Sequence, residues 1–197
     1  MSALPKSERL SDQHLKDAKR LFSSLKSCWH EMAKDAGGIP FRKQFSPAKV
    51  KSLLPYLYMM ELNEDNEIRF RHRGTGIERS TNHRFLIGDH MDTYGPEDWA
   101  RLHRYFNVIF SGPCAAEADW RYFCRENLVF DMVNYSLPLY GRDKTQRLSI
   151  GVMMVWPNYD SELLEHCTDQ DYSVCRHGVY LDVGYGVPKG ITEIRGR

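Results

Sequence analysis

Neither sign of charge predominates in this chain. Its 197 residues set 27 Lys and Arg against 26 Asp and Glu, a balance that leaves no electrostatic footprint for nucleic acid or an anionic membrane. No stretch of about 18 apolar residues occurs, so no transmembrane helix is expected. The N-terminus, MSALPKSERLSDQ, has no apolar core of a secretion signal. Paired cysteines are also lacking: Cys28, Cys114, Cys124, Cys167 and Cys175 are odd in number and scattered, without a CxxC. That pattern fits free thiols in a reducing compartment. The expectation is a soluble cytoplasmic protein without nucleic-acid or membrane partners.

Catalytic signatures are equally sparse. No G-x-S-x-G elbow occurs, and no cysteine stands in a motif with a histidine. Gly74-Thr75-Gly76 follows a strand-like run, but Arg79 stands where a dinucleotide fingerprint needs its third glycine, and no lysine-bearing phosphate loop follows. The two glycines read instead as a bend that lets a helix start close to the sheet.

What is present points to a packed domain. Aromatic residues make up 12% of the chain, more than a disordered segment carries. Residues 12–35 have helical spacing, with Ser11 as cap and Gly37-Gly38 as stop. Leu15, Ala18, Phe22, Leu25, Trp29 and Met32 recur alternately by three and four, a heptad-like seam. Such a seam packs either on its own domain or on the same helix of a second copy. Leu15, Phe22, Leu25, Trp29 and Met32 are the dimer-helix candidates.

A short helix follows in FSPAKVKSLLPYL, with Ser46 as cap and Pro55 as stop. YLYMMEL and EIRFRHR are strand-like runs joined by Asn63-Glu64-Asp65-Asn66, a hairpin in which Ile68, Phe70 and His72 share one face and Arg69, Arg71 and Arg73 a solvated one. Helical pattern then runs from Gly74 to Ser111, clearest in GPEDWARLHRYFNVIFSGP, with Trp99, Leu102, Phe106 and Ile109 as its core stripe. Three strands are predicted at about 114–124, 128–140 and 147–157, the last two separated by the polar turn GRDKTQ. Helices segregated between the second and third strands of an antiparallel set make this an α+β fold. The chain divides into an N-terminal amphipathic helix (1–37), a main domain (38–157) and a C-terminal tail (158–197), whose VYLDVGYGVP docks rather than forms core.

That element order resembles PAS domains, and three stretches are similar to a bacterial family of small single-domain PAS-like proteins. They are IPFRKQFSPAKVKSLLPYLYMMEL, FRHRGTGIERSTNHRFLIGDHMD and YSLPLYGRDKTQRLSIGVMM, with Ile39-Pro40, Arg42, Pro47, Leu54-Pro55, Gly74-Thr75 and Gly88 as the matching positions. Together they span Trp29 to Trp156. His72 stands where the family carries an apolar residue, which leaves open how that strand's inner face is filled. The resemblance implies a five-stranded antiparallel sheet with its first strand beside its last, and a sensory or interaction role without a catalytic residue.

Ligand-pocket candidates are His103, Phe106, Trp120, Tyr122, Asn134, Met154 and Trp156, large or polar groups on inward faces that otherwise simply fill a core. His103 lies on the helix from which some PAS proteins present a haem histidine. His166, Cys167, Cys175 and His177 offer zinc ligands at an unfamiliar spacing. Neither haem nor zinc is specified, and no cofactor is predicted. The expectation is a module without its own output domain, a homodimer that signals through a protein partner or self-association and takes a small-molecule ligand if any. The alternative is a small enzyme with an isomerase-like cone, using Asp119 or Asp131 as a general base raised by burial.

Overall fold

A computed structural model describes residues 12–65, 67–81, 95–124, 127–157 and 171–189. The helices are α1 (Asp12–Ala36), α2 (Thr75–Ser80) and α3 (Gly95–Ser111), and two 3₁₀ segments, Arg42–Gln44 and Pro47–Tyr56, lie between α1 and the first strand. The strands are β1 (Leu57–Leu62), β2 (Ile68–Arg73), β3 (Cys114–Cys124), β4 (Asn127–Tyr140), β5 (Arg147–Pro157) and β6 (Asp171–Asp182). All pair antiparallel in one sheet, in the order β2-β1-β5-β4-β3-β6. The five expected strands are there, β1 lies beside β5, and the tail adds a sixth. Among the described residues, no helix is long and apolar enough to cross a membrane.

The sheet is covered on both faces. Alternation along the strands sends Leu57, Met59, Val133, Tyr135, Leu137, Leu148, Ile150 and Val152 to one side, where α1 packs on them. Tyr58, Met60, Phe70, Ala116, Ala118, Trp120 and Met153 point to the other, against α2 and α3. Because the sheet is covered on either side, β1 is buried at every position, Glu61 included.

The apolar seam of α1 is covered by this chain's own sheet. Phe22, Leu25, Trp29 and Met32 are buried in the α1-side core, while Leu15 packs at its edge half-buried. Phe22 stacks on Tyr135 with ring centroids 4.4 Å apart, and the Trp29 indole N–H donates to the Pro138 carbonyl over 2.6 Å. Cys28 and Ala33 are buried alongside, so the stripe is wider than a coiled-coil seam and suits a helix on a sheet. The dimer-helix assignment of Leu15, Phe22, Leu25, Trp29 and Met32 is corrected accordingly: the surface it required is occupied. Each large side chain so buried contributes about 1.5–3 kcal/mol. Gly37, at φ +67°, ends the helix, with the Gly38 N–H donating to the Ala33 carbonyl. Ser11, the expected cap, lies outside the described residues.

Three local expectations also change. The Pro47–Tyr56 segment is 3₁₀ rather than α-helical, is kinked at Val50, and receives no side-chain bond from Ser46. In β2, register skips Arg71, so His72 pairs with Met59 and Phe70 with Met60. This bulge moves His72 to the α1 side and turns Arg73, not His72, to the face of Ile68 and Phe70. Arg73 is buried, its guanidinium 5.8 Å from the Phe70 ring centre. Nor are the other arginines merely solvated, since Arg69 pairs with Glu67 and Arg71 with Glu61. Finally, Gly74 and Gly76 do allow a close approach, but to the 3₁₀ backbone. A Cβ at Gly74 would overlap the carbonyl oxygens of Leu54 and Pro55.

The tail residues 171–182 extend the sheet at β3 from Cys114↔Asp182 to Cys124↔Asp171. Beyond β6, the Asp182 carboxylate accepts the backbone N–H groups of Gly184, Tyr185 and Gly186. This turn returns the chain to α1, where His30 Nε2 lies 2.9 Å from the Val183 carbonyl oxygen.

Candidate functional site

Between α3 and the sheet lies a buried polar cluster in an otherwise apolar layer. Asn134 of β4 is its centre. Its Oδ1 accepts from Trp120 Nε1 over 2.8 Å, and its Nδ2 donates to the hydroxyl of Tyr58 over 3.0 Å and of Tyr105 over 3.4 Å. The Tyr58 hydroxyl also hydrogen-bonds Ser136 Oγ. One amide therefore ties α3, through Tyr105, to β1, β3 and β4. The strand period places Asn134 and Ser136 on the same face, and Ala116 and Ala118 beside them leave room for α3. Gly151 completes the fit, because a Cβ there would collide with the Tyr58 ring.

The cluster holds protons rather than moving them. Burial pushes the Tyr58 phenol up, against the opposing effect of its hydrogen bonds from Ser136 and Asn134. Burial likewise pushes Tyr105 well up, with Tyr58 adding to the effect. Both stay neutral across the physiological range. Each bond contributes only about 0.5–1.5 kcal/mol net, but stranding one buried partner costs about 1–3 kcal/mol, so the network enforces one packing of α3.

Of the residues singled out in the sequence, Phe106, Trp120 and Asn134 meet here, in the core beneath α3. His103 is half-buried on the same helix. Tyr122 lies further along β3, stacked on Phe130 at 4.6 Å. Met154 and Trp156 are on the opposite face, packed against the α1-side core, with Trp156 stacked on His14. They are separate from the cluster because positions 154 and 156 share the parity of Ile150 and Val152. Tyr58, Tyr105 and Ser136 escaped the sequence reading. A signal existed in Asn134-x-Ser136, two polar residues on one face of an apolar strand.

The carboxylates considered as general bases are committed elsewhere. Asp119 and Asp131 share Arg176, whose Nη2 lies 2.5 Å from Asp119 Oδ1 and 3.3 Å from Asp131 Oδ1. Arg121 reaches Asp131 at 3.3 Å. Burial raises the Asp119 pKa, and its bond to Arg176 opposes the rise. The described thiols are poor nucleophiles: burial pushes Cys114 up to about 12 and Cys175 up to about 11. Of the zinc candidates, Cys175 is buried on β6, His177 is exposed, and His166 and Cys167 lie outside the described residues.

The strand order now decides among α+β folds. A sheet with its first strand between the second and fifth, and helices inserted after the second, is the PAS arrangement, and a family model described as PAS domain matches residues 19–154. The chain belongs to the PAS family. No curated protein and no solved structure matches it. The PAS match takes in α1 from residue 19 onward and ends in β5, so β6 is an addition to the PAS sheet in this chain.

Proposed function

We propose that this PAS domain is a sensory or protein-interaction module in which a ligand or partner biases the packing of α3 on the sheet, and that the change passes to a partner protein or to a second copy. The family carries the general role. The observation that carries the mechanism is the Asn134 cluster, where one buried amide spans the helix and three strands. A packed interface held by a few directional bonds switches between discrete arrangements rather than deforming gradually. Whatever favours one arrangement shifts the population by its differential affinity.

Asn134→Leu tests this reading. It keeps the volume but strands the Trp120 N–H and removes the amide's bonds to the two tyrosine hydroxyls, of which Tyr58 keeps Ser136 Oγ, with an expected loss of about 2–4 kcal/mol. Hydrogen exchange should accelerate selectively in α3 and β1 while α1 keeps its protection. Equal acceleration in α1 and α3 would show that the cluster does not define a separate movable unit. Native mass spectrometry of the unmodified protein from its own host supplies the second arm. A bound small molecule or protein partner is expected, and a bare monomer from every extract would overturn the proposal.

A further inference from the structure

On the α1 side of the sheet, away from the Asn134 cluster, Arg42, Lys43, Arg71 and Arg142 line a cleft of about 540 Å³ with Gly141, Gln146 and Leu148. From these features we infer a binding site for a small phosphate-bearing anion.

Three distant pieces of sequence build its walls. The 3₁₀ turn carrying Arg42 and Lys43 is fastened to the end of β4 by the Phe41↔Tyr140 bridge, with the Tyr140 N–H donating to the Pro40 carbonyl over 2.9 Å. Gln44 caps that turn by accepting the Phe41 N–H. The β4–β5 turn carrying Arg142 is closed by the Gly141 N–H to the Gln146 carbonyl and by Asp143, which accepts from the Thr145 and Gln146 N–H groups. Arg71, the bulged residue of β2, is held by Glu61. Gln146 Nε2 holds the other oxygen of Glu61 over 2.6 Å. The buried Glu61 is thus fully engaged with groups of the cleft wall.

The charges do not cancel. Arg71 is paired with Glu61, whereas among the described residues no carboxylate pairs with Arg42, Lys43 or Arg142. Guanidinium groups are forks for oxyanions, and several on one concave wall favour phosphate over a single carboxylate. The volume falls in the range for small-molecule sites, about 300–1,000 Å³.

The neighbouring hollow narrows the ligand further. Glu61, Glu64, Asp65 and Asp143 line it, on the far side of Arg142 and Gln146. A flat anionic membrane or a nucleic-acid strand would meet both the basic and the acidic patch. A small diffusible anion meets only the first. The site does not depend on the Asn134 cluster, so its failure leaves the function proposed above standing.

Titration calorimetry with pyrophosphate, using the whole chain, tests the inference. The Arg42→Gln, Arg142→Gln double variant should bind about tenfold more weakly or worse, the factor expected for lost charge-assisted bonds. A Lys16→Gln, Lys19→Gln control, altered on the exposed face of α1, should bind like the unmodified protein. Equal weakening in both variants would mean diffuse charge attraction and would overturn the site. So would unchanged affinity in the double variant, or no binding at millimolar pyrophosphate. If the double variant fails to fold, Arg142→Gln alone, on the exposed turn, gives the same comparison.

Discussion

His72 shows what one bulge does to one side chain. Placed opposite Met59, it is half-buried, and its Nε2 is enclosed without a hydrogen-bond partner. Burial lowers its pKa from the ordinary 6.5, Glu78 opposes that, and Arg42 adds to it. The folded state therefore takes up its proton at lower pH than the unfolded chain. Stability from this residue is intact above the unfolded pKa and is lost as pH falls through the window between the two values. Denaturation midpoints measured from about pH 7.5 to about 5.5 should fall with pH, and His72→Leu should flatten that decline. A decline of equal size in the variant would assign the effect to another group. The position of His72 two residues after Phe70 in a strand was legible from sequence. Its face was not, because period-two counting assumes an unbroken ladder and Arg71 interrupts it.

At the scale of elements, α1 and β6 depart furthest from what spacing alone conveys. The helix was evident from its periodicity, but a seam of Leu15, Ala18, Phe22, Leu25, Trp29 and Met32 is compatible with a sheet or with a second helix. Cys28 and Ala33, both buried, broaden it into a sheet-facing surface, and they are small enough to be overlooked as core. Phe22→Glu with Leu25→Glu should consequently unfold the protein rather than release a folded monomer, as read by circular dichroism and sedimentation. The milder Leu25→Ala should cost about 2–5 kcal/mol. A folded, monomeric double variant would show that the helix is not required by its own sheet. In β6 the alternation is broken by a register shift that skips Arg176, and by Gly178, so buried Cys175 and Tyr180 do not stand at strand period.

For the whole molecule, β6 decides where the sheet ends. A PAS sheet of five strands would leave the backbone groups of β3 open along one edge, and open edges template aggregation. Here β6 covers that edge over its full length, and Val183 then meets His30 of α1. Ending the chain after Pro157 should therefore expose β3 and loosen the end of α1. The expected result is a lower melting temperature and growth of scattering species on warming, followed by calorimetry and light scattering. A truncated chain that stays monomeric and melts at the same temperature would show that β6 is dispensable to the PAS core.

The helices and strands from α1 to β5 and their order were legible in local sequence, though not the 3₁₀ form of Pro47–Tyr56, because periodicity, caps and turn residues act over only a few neighbours. Motif resemblance added the PAS topology. Tertiary structure decided the rest: which surface covers α1, which face His72 and Arg73 take, and whether the tail pairs. It also brought Tyr58, Tyr105, Trp120, Asn134 and Ser136 into one cluster and drew Arg42, Arg71 and Arg142 around one cleft. Residues 14 to 100 positions apart became neighbours only through strand register and helix docking, which single-segment patterns do not encode.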